Sequence, residues 1–312
     1  MMVFGATLSQ TAFLFSFIVL GYLLVRLKAV PDNSQTVLSK LENTVFIPAL
    51  VLGTFMGNFT VEKLGTAWKL FSGSLLLEIV MIFASFALVR LCSRDSYERK
   101  IYQYGLSFSN FGFMGNAVVS ALYPDIFMEY LIFTLPMWSL IYLWGAPVLL
   151  LDDGKKDMKS RLKNFINPMF ACTVLGMLLG LSGIKLPAFC DDAVQAAGNC
   201  MSPIAMLITG MTLAQMNLGE ILRIRGVYVA TVLRLVAVPA LFLLLMLFVP
   251  FGKTFAVCAV CALSMPLGLN TIIIPAALGK DTRVASGMAL VSHVASCLTI
   301  PVVLMLFEML LV

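Results

Sequence analysis

Residues 109–116 read Ser-Asn-Phe-Gly-Phe-Met-Gly-Asn and residues 265–270 read Met-Pro-Leu-Gly-Leu-Asn, and each stretch interrupts an otherwise apolar segment. The first segment runs from Ile101 to Tyr123, and the second runs from about Phe255 to Leu278. A continuous membrane helix pairs its backbone groups internally, whereas an interrupted helix leaves some unpaired, at several kcal/mol each in lipid. Two broken helices at corresponding places in two halves are typical of transporters with a substrate site at the bilayer midplane.

The composition is that of an integral membrane protein. Of the 312 residues, 60% are hydrophobic and 12% are charged, whereas soluble domains are roughly 45–50% apolar. The apolar residues occur in runs of about 20, the length that crosses a hydrocarbon core of roughly 30 Å. We number ten such segments in chain order: 8–26, 38–57, 67–91, 101–123, 128–151, 165–183, 198–215, 226–249, 253–278 and 285–311. The sequence therefore predicts an all-α membrane protein with ten transmembrane helices and no soluble domain.

The basic residues predict the orientation. When the connections are assigned alternately to two sides, one side holds sixteen Lys and Arg residues and the other holds Lys63, Lys69, Lys185 and Lys253. Because cytoplasmic loops carry the excess of basic residues, we expect a cell-membrane protein with both termini on the extracytoplasmic side. The basic loops are then topological signals, and no nucleic-acid partner is expected.

The seven cysteines do not indicate a metal site. Cys258 and Cys261 form a C-x-x-C pair, but neither a second pair nor a histidine follows at metal-ligand spacing. The other cysteines lie mostly within apolar segments, where a thiol behaves as a small hydrophobic group. We therefore expect neither a metal nor a cofactor.

A polar connection divides the ten segments into two sets of five. Residues 152–164 form a basic linker between a first repeat, 1–151, and a second repeat, 165–312. An odd number of crossings makes the second repeat enter the membrane from the opposite side, which is the inverted-repeat arrangement. Pro48 and Thr54 recur as Pro203 and Thr209 at a common offset.

The two breaks supply candidate ligands for an anion. A broken helix exposes N–H groups at the start of its second half, and this end carries partial positive charge. Asn110 and Asn270 add amide donors, and Asn116 is a third candidate at the start of the half-helix that follows the first break. Glycines open the first break, and proline with glycine opens the second. The predicted substrate-binding residues are Asn110, Gly112, Gly115, Asn116, Pro266, Gly268 and Asn270.

Ionisable side chains inside membrane segments are costly, and each indicates a possible function. Glu78 and Arg234 lie at comparable places in segments 3 and 8, where they could pair or line an aqueous cavity, and Arg234 could also extend to the interface. His293 could relay protons, but a hydrogen-bonded interior imidazole is favoured. Glu42 and Glu308 lie near segment ends and are expected to reach the interface.

The whole chain resembles the auxin efflux carrier family, which includes plant PIN proteins and bacterial permeases. Residues 110–115, Asn-Phe-Gly-Phe-Met-Gly, are similar to the family's N-x-G-F-x-G stretch in the fourth helix. Further similarity lies in Asn167-Pro168 with Gly176 and Gly180, in Arg234-Leu235 through Pro239, and in Ser264-Met265-Pro266. Where many relatives have a proline after the first break, this chain has Asn116-Ala117.

The resemblance implies two inverted repeats of five helices, with broken helices 4 and 9 crossing at the midplane. It implies that helices 1, 2, 6 and 7 form a scaffold that dimerises and that helices 3–5 and 8–10 form a mobile transport domain. Carboxylate substrates of the plant relatives bind at the crossover near asparagines, which correspond here to Asn110 and Asn270. Auxin itself is not implied as the substrate.

These observations predict a secondary transporter of a small organic carboxylate that works by alternating access with an elevator-like or rocking motion. An inside-negative potential favours export of an uncoupled monovalent anion by about fifty-fold per 100 mV, since one charge is worth roughly 2.3 kcal/mol. Proton- or cation-coupled uptake is the alternative, with Glu78 or His293 as the coupling group. A channel, a sensor and an enzyme are disfavoured, since no signalling domain, H-E-x-x-H or G-x-S-x-G motif is present.

Overall fold

The computed structural model describes residues 2–150, 168–184, 186–215, 217–277 and 280–311. Within these ranges each of the ten predicted segments contains helix, which confirms the all-α expectation. The whole basic linker 152–164, with residues 151 and 165–167 that flank it, lies outside the described residues. The helices are α1 Met2–Arg26, α2 Ser34–Asn58, α3 Leu64–Cys92, α4a Ser96–Ser107, α4b Phe111–Leu122, α5 Phe127–Leu140 continued by Ile141–Leu150, α6 Pro168–Ser182, α7 Ala188–Ala214, α8 Arg225–Met246, α9a Lys253–Ser264, α9b Asn270–Ala277 and α10 Arg283–Leu311.

Seven helices of the described chain are long and apolar enough to cross a membrane: α1, α2, α3, α5, α7, α8 and α10. The apolar helices α4b, α6 and α9a are shorter. Two of these three belong to the broken segments, and α6 begins at Pro168, directly after residues outside the description. The predicted number of ten crossings is therefore not fixed by helix length.

Prolines explain three wide turns in these helices. Pro48, Pro147 and Pro239 each follow, by four residues, a position inside a π-helical turn, namely Thr44 in Glu42–Phe46, the middle of Ile141–Leu150, and Leu235 in Leu233–Ala237. A proline cannot donate to the carbonyl four residues before it, and its ring pushes that carbonyl aside. The helix accommodates the ring by widening for one turn, a device often found at functional sites.

The helices pack in two groups. In the first group, α1 packs along α7, while α2 packs against α6 and α7. In the second group, α3 packs against α4a and α5, α8 packs against α10, and α9a packs against α5 and α10. Small residues permit the closest approach, since a Cβ added to Gly210 of α7 would overlap the Ile18 carbonyl of α1. The two groups also touch, since α1 packs along α10 as well as along α7. The division into scaffold and transport domain stays a prediction.

Several contacts between helices in one half of the chain have a counterpart when each helix is replaced by the helix at the same position in the other half. The α1–α7 contact corresponds to the α6–α2 contact, α3–α5 to α8–α10, and α9a–α5 to α4a–α10. This is the pattern that two related five-helix units produce when they pack face to face. The inverted repeat itself stays a prediction.

The broken segments lie at the centre of the molecule. Every residue from Ile101 to Val119 is buried, and so is every residue from Ala256 to Leu269. The interruptions are thus shielded from lipid by the other helices, where irregular backbone is tolerated in a membrane protein.

The predicted start of segment 7 is wrong. We expected this segment at 198–215, whereas helix α7 begins at Ala188 and bends near Cys200, where α-helix gives way between Asn199 and Met201. The polar residues Asp191 and Gln195 lie outside the predicted segment but inside the helix, where both line a polar cavity and therefore do not face hydrocarbon. Pro203 follows Asn199 by four residues and accounts for the bend.

Candidate functional site

The two breaks cross and are joined through their backbones. Ser109 and Leu267 form an isolated antiparallel β-bridge. The Asn110 N–H donates to the Pro266 carbonyl oxygen over 2.7 Å, and the Ser109 hydroxyl donates to the Ala262 carbonyl oxygen over 2.7 Å. Each break thus supplies hydrogen-bond partners for groups that the other leaves unpaired, as buried backbone requires.

The second break has the predicted extent, but the first is shorter than predicted. Helix α9a ends at Ser264 and α9b begins at Asn270. In the first segment, however, helix resumes at Phe111 as a π-helical turn, and the Asn110 carbonyl already accepts from the Gly115 N–H over 3.0 Å. Because no proline follows, nothing prevents the chain from returning to helix at once.

Gly112 and Gly115 therefore do not open the first break, and they serve close packing instead. A Cβ on Gly112 would overlap the Trp138 ring, and a Cβ on Gly115 would overlap the Tyr130 hydroxyl. That hydroxyl donates to the Phe111 carbonyl oxygen over 3.1 Å. The two glycines let side chains of α5 lie directly against the start of α4b.

Arg234 caps the carbonyl ends of both first half-helices. It is 2% exposed, and its Nη1 and Nη2 donate to the carbonyl oxygens of Leu106 in α4a (3.1 Å) and Ala262 in α9a (3.2 Å). A cation stabilises a helix C-terminus, where the dipole is negative. The alternative in which Arg234 extends to the membrane interface is therefore wrong.

The other embedded acids have different surroundings. Glu78 is 2% exposed and lies within electrostatic range of Arg234, although no ion pair between them is present within 4 Å among the described residues. Glu308 is partly buried and accepts a hydrogen bond from the Tyr123 hydroxyl over 2.9 Å. Glu42 is 1% exposed. The expectation that it reaches the membrane interface is therefore wrong. These three carboxyl groups are not equivalent.

A small cavity of about 20 Å³ lies where the breaks cross, and we call it the crossover cavity. It is lined by Asn110 and Gly112 from the first break and by Gly268 and Asn270 from the second. The starts of α4b and α9b both border it, so two electropositive helix ends face one space. Its described lining residues include no acid. This cavity holds about one water molecule, which is too little for an organic anion.

The Asn110 side chain is held by His293. Its Nδ2 lies 2.9 Å from His293 Nε2, and His293 Nδ1 lies 2.7 Å from the Ala289 carbonyl oxygen. A carbonyl oxygen only accepts, so we assign the proton to Nδ1, which leaves Nε2 to accept from the amide. His293 is thus a hydrogen-bonded interior imidazole, as favoured from the sequence, and it fixes the orientation of the Asn110 amide.

The side chain of Asn270 is oriented by a residue of the other broken segment. Asn270 Nδ2 donates to the Tyr104 hydroxyl over 3.0 Å. Tyr104 also lines the crossover cavity, and its ring packs against Phe108 with centroids 5.0 Å apart. Sequence reasoning missed Tyr104, although its i, i+4 spacing to Phe108 on one face of α4a was a usable signal.

A larger cavity of about 660 Å³, which we call the vestibule, lies between α1, α2, α4b and α7. The first half of α1, the end of α2 and the first half of α7 contribute to it, so it opens on the face where the chain begins. Its polar lining residues are Gln10, Thr54, Asn58, Asn116, Ser120, Asp191, Gln195, Asn199 and Ser202. None of the described lining residues is basic.

Shared residues connect the vestibule with the crossover cavity. Asn116 lines both the vestibule and a smaller space of about 20 Å³, which Gly112 and Trp138 also line. Gly112 and Trp138 line the crossover cavity in turn. Trp138 therefore lies between the two, with its ring 5.1 Å from that of Phe111 in edge-to-face contact.

The predicted site residues are only partly brought together. Asn110, Gly112, Gly268 and Asn270 line one cavity. Asn116 lies one turn further along, and its buried Oδ1 has no hydrogen-bond partner among the described residues. The remaining two, Gly115 and Pro266, position neighbouring groups and are not among the lining residues of these cavities. Substrate contact by any of them stays a prediction.

Comparison with models of known protein families identifies the family of this chain. A family model described as "Membrane transport protein", which covers auxin efflux carrier-like transporters, matches residues 6–158 and again residues 155–304. The two matches span nearly the whole chain, as the resemblance predicted. No curated protein matches the sequence.

Proposed function

Since this chain belongs to the auxin efflux carrier-like membrane transport protein family, we propose that it is a secondary transporter that moves a small organic anion across the cell membrane by alternating access. The observation that carries the proposal is the convergence of two helix starts and two asparagines on the crossover cavity. Family membership supports a transporter, and the local chemistry supports an anion.

The electrostatics of the crossover favour negative charge. The starts of α4b and α9b are electropositive, whereas the opposite, electronegative ends of α4a and α9a are capped by Arg234. The positive ends therefore face the cavity without a compensating negative end. Asn110 and Asn270 each keep one amide N–H beyond the one that His293 or Tyr104 accepts, and a carboxylate accepts such bonds with both oxygens.

The size of the cavities supports alternating access. A vestibule of about 660 Å³ admits an organic acid, but the crossover cavity of about 20 Å³ does not enclose one. Substrate binding therefore requires more space beside the crossover, which Trp138 provides by moving aside while the two breaks stay bridged. The conformation described here has the vestibule open on one face and the crossover closed.

The packing of the helices suggests which parts move. We propose that α1, α2, α6 and α7 form the scaffold and that α3–α5 and α8–α10 carry the crossover as one body. Contacts within each group support this division, and the contact between α1 and α10 is then the interface along which the two groups would move. A homodimer formed through the scaffold stays a prediction.

Counterflow in proteoliposomes tests the proposal without assuming direction or coupling. Vesicles loaded with an unlabelled acid are diluted into the same acid in radiolabelled form, with lactate, succinate and citrate as probes. We expect at least one probe to accumulate transiently above the level in protein-free vesicles. If none does, and none inhibits another's exchange, organic-anion transport is contradicted.

Direction depends on coupling. An uncoupled monovalent anion is driven outward by the membrane potential, roughly 2.3 kcal/mol per 100 mV, which makes export the first candidate. Proton-coupled uptake is the second candidate, and the burial of an unpartnered carboxyl group beside the crossover favours it.

A further inference from the structure

Glu42 is buried without a partner. It lies in the π-helical turn Glu42–Phe46 and is 1% exposed. Neither of its carboxyl oxygens has a hydrogen-bond partner among the described residues. A carboxylate deprived of water, donors and counter-ion loses many kcal/mol of solvation, so the group is buried as the uncharged acid. Such a group inside a membrane segment calls for a functional explanation.

The widened turn explains how Glu42 comes to face inward. Pro48 disturbs the carbonyl of Thr44, and the turn that results holds an extra residue. Residues before the turn are therefore rotated relative to those after it. The neighbouring polar side chains bond back to their own helix, Asn43 to the Ser39 carbonyl and Thr44 to the Lys40 carbonyl, each over 2.7 Å. They leave the Glu42 carboxyl unsatisfied.

Glu42 lies directly behind the crossover. It lines a space of about 10 Å³ together with Phe113 and Leu269, which belong to the two broken segments. Both of these side chains also line the crossover cavity. Glu42 is therefore separated from the proposed anion site by Phe113 and Leu269, and it lies nearer to the end of α2 that is opposite the vestibule.

Few ionisable groups surround Glu42. The helices that pack against its turn are both flanking parts of α2, α6 and both parts of α7. Their ionisable residues are Lys40, Cys172, Cys190, Asp191, Asp192 and Cys200. Lys40 and Asp192 are exposed, and Asp191 lies in the vestibule, where it accepts from Gln195 over 3.1 Å. No hydrogen bond or ion pair joins any of these described groups to Glu42.

Building on the proposed function, we propose that Glu42 carries the proton that moves together with the anion. In the conformation described here it is protonated and sealed by Phe113 and Leu269. When the crossover moves relative to α2, these side chains leave, water enters, and the acid releases its proton to water on the side opposite the vestibule. The step converts the carboxylic acid and one water molecule into carboxylate and hydronium, and no substrate bond changes.

This assignment makes uptake of the anion favourable when the exterior is more acidic than the interior. A monovalent anion that moves with one proton carries no net charge, so the membrane potential no longer opposes its entry. An inward proton gradient of one pH unit then supports up to a tenfold accumulation of the anion.

The test uses the purified full-length transporter in proteoliposomes, with whichever of lactate, succinate and citrate shows counterflow. Two readouts are measured: counterflow at equal pH, and accumulation driven by an acidic exterior, with entrapped pyranine reporting proton entry. We expect Glu42→Gln to retain counterflow within about twofold, because glutamine resembles the uncharged acid. We also expect it to lose accumulation and the pyranine response.

Glu308→Gln is the matched control, since Glu308 is a membrane-segment acid that already has a hydrogen-bond partner, and it should retain both readouts. Equal accumulation by Glu42→Gln and the unmodified transporter would overturn the assignment, as would counterflow without any pyranine response in the unmodified transporter. Loss of counterflow itself in Glu42→Gln would also overturn it, since Glu42 would then be needed for the anion step. Counterflow absent for every probe in the unmodified transporter contradicts the proposed function and, with it, this inference.

Discussion

The N–H of Asn110 donates to the carbonyl oxygen of Pro266 over 2.7 Å, which ties the backbone of one broken helix to that of the other. The side-chain amide of Asn110 also bonds to His293 in α10. Asn110 therefore connects its own broken segment with the other broken segment and with α10. A site built in this way is rigid in itself. It is therefore suited to move as a unit relative to the surrounding helices.

Cross-linking distinguishes motion within the crossover from motion of the crossover as a body. In a background without native cysteines, a Ser109→Cys/Leu267→Cys pair replaces two bridged residues. A Gln10→Cys/Ala117→Cys pair joins α1 to α4b, where the Gln10 amide already donates to the Ala117 carbonyl over 3.3 Å.

We expect a bifunctional thiol reagent to leave counterflow largely intact in the first pair, because both residues belong to the moving body. In the second pair the reagent should lower the rate of counterflow at least tenfold, because the link fixes the moving body to the scaffold. The single-cysteine variants serve as controls. Inhibition of the first pair with full activity of the second would contradict an elevator-like motion.

Arg234 should be essential for stability because it caps two helix ends. We expect Arg234→Met to lower the free energy of unfolding by about 3–5 kcal/mol, since the Leu106 carbonyl loses a donor, the Ala262 carbonyl keeps only that of Ser109, and a cation near Glu78 is lost. Thermal unfolding in detergent should then occur on the order of 10 °C lower. Arg90→Met, which alters an exposed residue of α3, should unfold near the unmodified temperature.

The interaction with Glu78 is measurable by a double-mutant cycle. Arg234→Met/Glu78→Gln should be more stable than the sum of the two single changes, because the double variant leaves no uncompensated buried charge. A coupling energy below about 0.5 kcal/mol would show that the two groups act independently.

The glycine in the π-helical turn should be sensitive to a single methyl group. Gly115→Ala places a Cβ on the Tyr130 hydroxyl and should be destabilised. Tyr130→Phe removes the overlapping oxygen and with it one hydrogen bond to Phe111, a loss of about 1 kcal/mol. The Gly115→Ala/Tyr130→Phe variant should therefore unfold at a higher temperature than Gly115→Ala alone.

Gly57→Ala is the matched control for this test, since a Cβ there has no neighbour within 4 Å. It should be neutral or slightly stabilising because of the higher helix propensity of alanine. If Gly115→Ala is equally neutral, the close packing of α5 on α4b is not as described.

Much of this architecture could be predicted from the sequence, and the errors have identifiable causes. Pro266 and Gly268 located the second break because their backbone restrictions are local. The position of the first break was predicted correctly, but its predicted length was too great. In a glycine-rich sequence, the residues of a π-helical turn cannot be distinguished from those of an interrupted helix. The start of α7 was missed because its polar residues line a vestibule that composition alone does not reveal.

Tertiary contacts account for the remaining differences. The capping role of Arg234 depends on two carbonyls far away in the chain, Leu106 and Ala262. The burial of Glu42 depends on a widened turn that shifts the helical period, so position within the segment gave no warning. The periodicity of a sequence describes single helices only. The Arg234 cap and the burial of Glu42 could not be predicted from it, because they arise between helices and in an irregular turn.

Orientation is open to a labelling test. Cys190 lies in the first turn of α7, beside vestibule residue Asp191. The positive-inside bias predicts that this end of α7 is extracytoplasmic. With Cys190 as the single cysteine, a membrane-impermeant maleimide should label intact cells, whereas Arg94→Cys after α3 should be labelled only after permeabilisation. The reverse pattern would invert the topology.

The measurement that bears most closely on anion binding at the crossover is a thermal-shift screen of the purified protein against mono-, di- and tricarboxylates. A ligand at a hundredfold excess over its Kd stabilises the folded state by about 2.7 kcal/mol. We predict that at least one carboxylate raises the unfolding temperature of the unmodified protein and of Asn33→Ala, an exposed control amide, but not of Asn110→Ala. An equal shift in Asn110→Ala, or no shift with any carboxylate, would contradict an anion site at the crossover.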